Sequence, residues 1–297
     1  MTQIKELFGQ SGTDISTRNQ QMAIITLTTD MGLRDYYVGA LKGAIYSQVE
    51  NVEIVDISHY IRPFDTYQAA FVLRNAYIDF PPGTIHIIGV NPDATHDFPH
   101  LIVRQHDQYF IGADNGIFSL LFDIKVEDVF ELNLSQDSDD MTFVTKNLFA
   151  KAACHLARGG TPEVIGKRVE GIRQSERFRP VIDNHLIKGT VIYIDSYGNV
   201  ITNISQQLFR DVGKGRDFTL QMGLSKHDIR EIKTVYSEVK EGEKLALFGS
   251  SGFLEIAINK GTPESGGGAH MLFGLKVNDI IRIEFNANQN RKDDFPT

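Results

Sequence analysis

Three short segments, far apart along the chain, set glycine beside hydroxyl, amide and carboxylate groups at the ends of apolar runs. They are Thr28-Thr29-Asp30-Met31-Gly32-Leu33-Arg34-Asp35-Tyr36-Tyr37-Val38-Gly39, Asp195-Ser196-Tyr197-Gly198-Asn199-Val200-Ile201-Thr202-Asn203 and Gly249-Ser250-Ser251-Gly252-Phe253-Leu254-Glu255-Ile256-Ala257. A carboxylate directly after a buried strand sits where α/β sheets bind ligands, and Asp30 there can accept two hydrogen bonds from a sugar diol. Asp30 would equally serve as a helix N-cap or Asx-turn, and Asp35, just before the run from Tyr37, reads first as a cap. Asp195 and Asn199 could hold an ammonium and a carboxylate, with Tyr197 stacked on a ring. The competing reading is a tight turn, which favours the same residue types. Ser250 and Ser251 lie between two glycines, in either a backbone nest for an anion or a hairpin loop.

Other candidates are weaker. The loop Asn91-Pro92-Asp93-Ala94-Thr95-His96-Asp97-Phe98-Pro99-His100 gathers two Asp and two His after a strand. His96 and His100 have helical ligand spacing, but Pro99 argues against a helix, so the loop is solvated or a proton-transfer or metal site. Gly112-Ala113-Asp114-Asn115-Gly116 contains the turn pair Asn-Gly and reads mainly as structure. There is no Cys-x-x-Cys, His-Glu-x-x-His, Gly-x-Ser-x-Gly, P-loop or Gly-x-Gly-x-x-Gly. No metal site is expected. The single cysteine, Cys154, lies in an apolar run, cannot form an internal disulfide and reads as a buried structural thiol.

The elements that must position these residues change along the chain. Residues 23–28, 52–57 and 84–90 read as strands, 37–49, 66–77 and 148–157 as helices, and 101–103 with 108–111 as a hairpin. This alternation predicts an α/β lobe with a largely parallel sheet. After about residue 180, strands at 186–194, 200–204, 244–248, 253–258 and 279–285 come with turn signals and almost no helical period, which predicts an all-β barrel or sandwich. The expected organisation is an extension over 1–22, an N-terminal α/β domain over 23–178, a C-terminal β-barrel over 186–286 and a polar tail over 287–297. The boundary falls near 169–185. A formal charge of -8, spread along the chain, disfavours nucleic acid as a partner. No run approaches the ~20 apolar residues of a membrane span, no apolar signal core opens the chain, and one cysteine fits a reducing cytosol. The expected location is cytoplasmic.

In order and spacing these segments resemble the S-adenosylmethionine hydroxide adenosyltransferases, relatives of the fluorinases and chlorinases that make 5'-halo-adenosine. The likeness runs from about Ile24 to Ile283. Residues 28–43, 112–116, 195–203 and 249–261, with the late run Leu272-Phe273-Gly274-Leu275-Lys276-Val277-Asn278-Asp279, carry it. The resemblance implies an N-terminal α/β domain, a C-terminal β-barrel and a homotrimer with each site between neighbouring subunits. It implies that Asp30 grips the ribose hydroxyls, with Asp35 and Tyr37 close by. Asp195, Tyr197 and Asn199 would contact methionine and adenine, Ser250 and Ser251 would face the methionine end, and Asn259 would contact adenine.

The reaction so implied is displacement at the ribose C5' carbon, with methionine leaving from a sulfonium. S-adenosylmethionine is then a substrate, and no cofactor is needed. Hydrolases of this family use an Asp, an Arg and a His for water. Here Asn91, Phe98 and Val144 align with those three positions, so the charged triad is absent. Thr145 aligns with a position that lines the halide site in the halogenases. The expected activity is cleavage of S-adenosylmethionine by water, with Asn91, Asp93, His96 and Thr145 as substitute catalytic candidates. The alternatives are a binding protein without turnover, or a homologue that uses halide.

Overall fold

The computed structural model describes residues 22–93, 99–122, 125–134, 142–176, 179–262 and 267–286. The extension, the tail, and His96 and Phe98 of the 91–100 loop lie outside them.

Strand β1 (Ala23–Thr29) is apolar and β-branched, and its last five residues are buried. Helix α1 (Tyr37–Tyr46) buries Val38, Leu41 and Ile45, the i, i+3, i+7 stripe of an amphipathic helix. Strand β2 (Val52–Ser58) is followed by helix α2 (Thr66–Tyr77), capped by Asp65, whose carboxylate accepts from Gln68 N at 2.9 Å. Strand β3 (Ile85–Gly89) is buried throughout. Strands β4 (His100–Gln105) and β5 (Gln108–Ala113) form a hairpin. Its two turn residues, His106 and Asp107, take φ of 53° and 56°, the left-handed pair a two-residue hairpin requires. Helix α3 (Ile117–Leu121) and strand β6 (Asp128–Leu132) follow. A π-helical turn (Thr145–Phe149) then leads into helix α4 (Ala150–Ala157), and α5 (Pro162–Ile165) leads into β7 (Gly166–Arg168).

The first sheet has the order β2-β1-β3-β5-β4-β6-β7. The pairs β2/β1, β1/β3 and β3/β5 are parallel, whereas β5/β4, β4/β6 and β6/β7 are antiparallel. The sheet is therefore mixed, not largely parallel: β4, the first arm of the hairpin, and the edge strand β7 run against the other five strands. One face packs on α1 and α4 around Leu41, Ile45, Phe149 and Cys154. The other packs on α2 and α3 around Leu73, Phe110 and Phe118.

The second lobe contains β8 (Val181–Asp183), β9 (Leu186–Ile194), β10 (Val200–Ser205), helix α6 (Gln206–Gly213), β11 (Phe218–Gln221), β12 (Ile232–Lys233), β13 (Lys244–Phe248), β14 (Phe253–Ile258), helix α7 (Ala269–Phe273) and β15 (Ile280–Phe285). Its sheet runs β11-β15-β9-β10-β14-β13-β12, with β8 on β9. It curls into a half-barrel, and Leu220 of β11 bridges Ile229, three residues before β12. The lobe is not all-β. Helix α6, capped by the Ser205 hydroxyl on Leu208 N at 3.1 Å, interrupts it, as does α7. The lobes meet where Phe71 of α2 stacks on Tyr193 of β9 at 4.7 Å between ring centroids.

Candidate functional site

From β1 the chain goes through α1 to β2 on one side, then crosses back through α2 to β3 on the other. The carboxyl ends of β1 and β3 therefore flank the point where strand order reverses, the crevice in which open α/β sheets bind ligands. Asp30 follows β1 there, and Asn91 stands two residues beyond β3.

Asp30 is partly exposed. Its Oδ2 accepts from Phe64 N at 2.9 Å, and among the described residues Oδ1 has no hydrogen-bond partner. Phe64 takes φ of 65°, a left-handed conformation rare for a bulky side chain, and the Asp30 carboxylate holds it there. Asp30 is thus neither a helix cap nor a local Asx-turn: its bond spans 34 residues of sequence. The helix that follows begins at Tyr37 with Tyr36 as its flanking residue and no side-chain cap, so Asp35 does not cap it. The neighbouring segments carry large apolar side chains in solvent: Tyr36 is 70%, Tyr60 71% and Phe64 71% exposed. Tyr37 stacks on Tyr36 at 4.5 Å and meets the edge of Phe143 at 5.4 Å. Its hydroxyl is pushed above the usual tyrosine range, chiefly by its hydrogen bond with Tyr36.

A polar chain, buried at Thr29 and His59 and reaching the surface at Asp56 and Lys42, backs this turn, and the sequence reading missed it. Thr29 Oγ1 lies 2.7 Å from Nδ1 of His59, a residue 2% exposed. His59 Nε2 lies 3.1 Å from Asp56 Oδ1, and Lys42 Nζ lies 2.6 Å from Asp56 Oδ2. Burial alone would raise the Asp56 pKa, but the hydrogen bond from Lys42 and the nearby His59 ring outweigh it and hold the carboxyl below its ordinary range. The signal for His59 was Asp56-Ile57-Ser58-His59, polar residues at the end of β2 just as Asp30 stands at the end of β1.

Thr145 opens the π-helical turn and is fully buried; its hydroxyl has no hydrogen-bond partner among the described residues. It packs against the end of β3, where a Cβ on Gly89 would lie 2.7 Å from Thr145 Cγ2 and 3.2 Å from Thr29 Cγ2. Gly89 is the residue that lets these two threonines close on the crevice. Val144 is 5% exposed and belongs to the core against α1 and α4. Asn91 takes φ of 46°, and its carbonyl accepts from Asn115 Nδ2 at 2.9 Å. Asp93 follows at the limit of the described stretch. His100 is not a loop residue. It opens β4, is 6% exposed, and its Nε2 is bound to the Pro92 carbonyl at 2.8 Å. Burial pushes its pKa down.

The second group is on the half-barrel. Asp195 Oδ1 accepts from Tyr197 N at 2.9 Å and Asn199 N at 2.8 Å, and Oδ2 accepts from Asn199 Nδ2 at 3.0 Å. The turn reading therefore holds for these residues. Tyr197, 64% exposed, is presented at its tip. Gly198 takes φ of 80° and packs against Gly268 and His270. Ser250 and Ser251 form the turn between β13 and β14, closed by Gly252 N on the Gly249 carbonyl at 2.9 Å. Behind it, the Tyr236 hydroxyl donates to Oε1 of buried Glu255 at 2.5 Å. Burial raises the pKa of both, and nearby Asp195 adds to each shift. Asn259 donates from Nδ2 to the Val239 carbonyl at 2.8 Å, a structural tie. Among the described residues, no hydrogen bond or ion pair joins the Asp30 group to the Asp195, Ser250 or Asn259 group. No group of three or more His, Cys, Asp or Glu among them could hold a metal ion, and no helix among them is long and apolar enough to cross a membrane.

A carboxylate at the switch-point crevice of an α/β lobe, joined to a curled β lobe with its own polar turns, defines a two-lobed α/β protein. Two family models match in tandem: the SAM hydroxide adenosyltransferase N-terminal domain over residues 25–166 and the C-terminal domain over 189–282. The chain belongs to the SAM hydroxide adenosyltransferase family. It is 30% identical over 253 residues to the (R)-S-adenosyl-L-methionine hydrolase of Methanocaldococcus jannaschii, covering 82% of this chain and 91% of that one. It is 24% identical over 280 residues to the fluorinase of Nocardia brasiliensis, covering 82% and 93%. The crystal structure of an uncharacterized conserved protein from Thermotoga maritima superposes with a TM-score of 0.77 at 31% identity, covering 88% of this chain and 99% of that one.

Proposed function

We propose that this protein cleaves S-adenosylmethionine by displacement at the ribose C5' carbon with water, giving adenosine and L-methionine. The carrying observation is the Asp30 carboxylate at the switch-point crevice, with one oxygen engaged by Phe64 N and the other without a hydrogen-bond partner among the described residues. That free oxygen is the acceptor a ribose hydroxyl requires, and a charged acceptor makes the stronger bond. The water oxygen bonds to C5', the C5'–sulfur bond breaks, sulfur keeps the electron pair as a neutral thioether, and the water proton is released. The leaving group starts cationic, so no acid must protonate it. The site must instead hold water and sulfur in line with the carbon. Among the described residues no hydrogen bond or ion pair joins the Asp30 and Asp195 groups, and a homotrimer with each site shared by two subunits would bring them together. Exposed Tyr36, Tyr60 and Phe64 supply an apolar rim for a neighbouring subunit to cover. The lobes would be domains over 23–178 and 186–286, and the protein cytoplasmic.

A second reading, binding without turnover, is favoured by Val144. It fills the core at the position aligned with the water-activating His of the hydrolases, and an apolar side chain there moves no proton. A third, attack by halide, is favoured by the unpartnered Thr145 hydroxyl. The deciding experiment incubates the pure protein with S-adenosylmethionine, with and without chloride, and follows products by mass spectrometry. Adenosine and methionine, lost in Asp30→Ala, are expected. Ligand retained intact would establish the second reading, and product formed only with chloride the third.

A further inference from the structure

No step above uses the chain Thr29–His59–Asp56–Lys42, which runs from two buried residues out to two at the surface. His59 Nε2 lies 3.1 Å from Asp56 Oδ1 but meets no acceptor in hydrogen-bond geometry among the described residues, so the ring's directed bond is the one between Nδ1 and the Thr29 hydroxyl, 2.7 Å apart. The Thr29 oxygen keeps a lone pair for Met31 N, 3.4 Å away. The backbone of the same histidine binds the other end of the turn: its carbonyl accepts from Gly32 N at 2.7 Å. One residue on β2's exit therefore grips residues 29–32 at both ends, and Asp30 lies between the two grips. Lys42 extends the frame to α1, the helix that Tyr37 opens. Burying an imidazole this deeply costs desolvation that an apolar side chain would avoid, so packing alone does not account for it.

We propose that His59 is a positioning residue: acting through Thr29, it sets the angle at which the Asp30 carboxylate meets the ribose hydroxyls. The assignment rests on Asp30 being the ribose contact in the reaction proposed above. In-line displacement tolerates little error, since a 1 Å misplacement can cost about 100-fold in rate. A ribose held askew would bind more weakly and present C5' off the line of attack.

The test uses the full chain, with adenosine affinity measured by calorimetry and S-adenosylmethionine turnover by mass spectrometry. The variants are His59→Gln, His59→Asn, Asp30→Asn and the pair Asp30→Asn with His59→Gln. The amide of Gln reaches the Nε2 position and keeps only the Asp56 contact. The shorter Asn amide reaches the Nδ1 position and keeps the Thr29 contact. His59→Gln should weaken adenosine binding roughly tenfold, the scale of one buried hydrogen bond. It should also lower kcat more than it raises KM. His59→Asn should restore most of the loss, and His59→Gln should cost nothing further beside Asp30→Asn. Equal losses in the Gln and Asn variants, or losses additive with Asp30→Asn, would overturn the proposal. If a His59 variant fails to fold, Thr29→Val against Thr29→Ser asks the same question of the hydroxyl: Val should bind adenosine more weakly than Ser, and equal affinities overturn it. A wild-type protein that binds adenosine but forms no product defeats the cleavage reading alone, and the affinity ordering still decides His59. A wild-type protein that binds no adenosine defeats the ribose assignment and this proposal together.

Discussion

Thr145 carries a fully buried hydroxyl with no hydrogen-bond partner among the described residues, a defect that costs about 1–3 kcal/mol unless a ligand is served by it. Thr145→Val keeps the shape and removes the defect. Its melting temperature should equal or exceed that of the wild type while product formation falls. A stable variant with full activity would remove Thr145 from the reaction. At this scale, what the sequence disclosed depended on how local each contact is. Asp195, Tyr197 and Asn199 were readable because their bonds close within four residues. His59 was not, since it acquires meaning from Thr29, 30 residues away. Glu255 was passed over for the same reason, its partner Tyr236 lying 19 residues back. Asp30 was found for its place after a strand, but its actual partner, Phe64 N, could not be read from either segment.

Among elements, the junction of β1, β3 and the π-helical turn depends on the missing side chain of Gly89. Gly89→Ala would bring a methyl to 2.7 Å from Thr145 Cγ2, and should cost about 1–3 kcal/mol by overpacking. Adding Thr145→Ala should return most of that loss in a urea titration, and its failure to do so would place the strain elsewhere. Helix positions followed from the apolar period, as in α2, which spans the expected 66–77. Helix α1 ends at Tyr46, short of the expected 49. The direction of β4 and β7 could not be read, because a strand shows the same side-chain pattern whichever way it points. Helix α6 went unnoticed among strand signals, although Ser205 at its start is a standard cap.

For the molecule as a whole, stability in acid should follow His86. It is buried between Thr26 Oγ1 at 2.7 Å and Gln108 Oε1 at 2.9 Å, and stacked on Phe110. Burial lowers its pKa from 6.5 to about 4. Above pH 6.5 the ring is neutral in both folded and unfolded chains, and its full contribution is present. As pH falls from 6.5 towards 4, only the unfolded chain takes up the proton, and about 3 kcal/mol is lost. Urea unfolding at pH 7 and pH 5 should show this slope, and His86→Gln should flatten it. Assembly predicts a different behaviour. If each site joins one subunit's Asp30 to its neighbour's Asp195, then Asp30→Ala and Asp195→Ala proteins, each inactive, should recover about a quarter of the sites when dissociated together and reassembled. No recovery would put both groups of each site on one chain.

Cys154 is wholly enclosed by the core, and its thiol is pushed up to about 11 by burial. As the chain's single cysteine, it should ignore alkylating reagents while the fold is intact. A new cysteine placed on the surface would therefore be the only one to take a dye, with no need to remove the native thiol. Donor-labelled and acceptor-labelled batches could then be mixed, and the exchange of subunits followed by light, one molecule at a time.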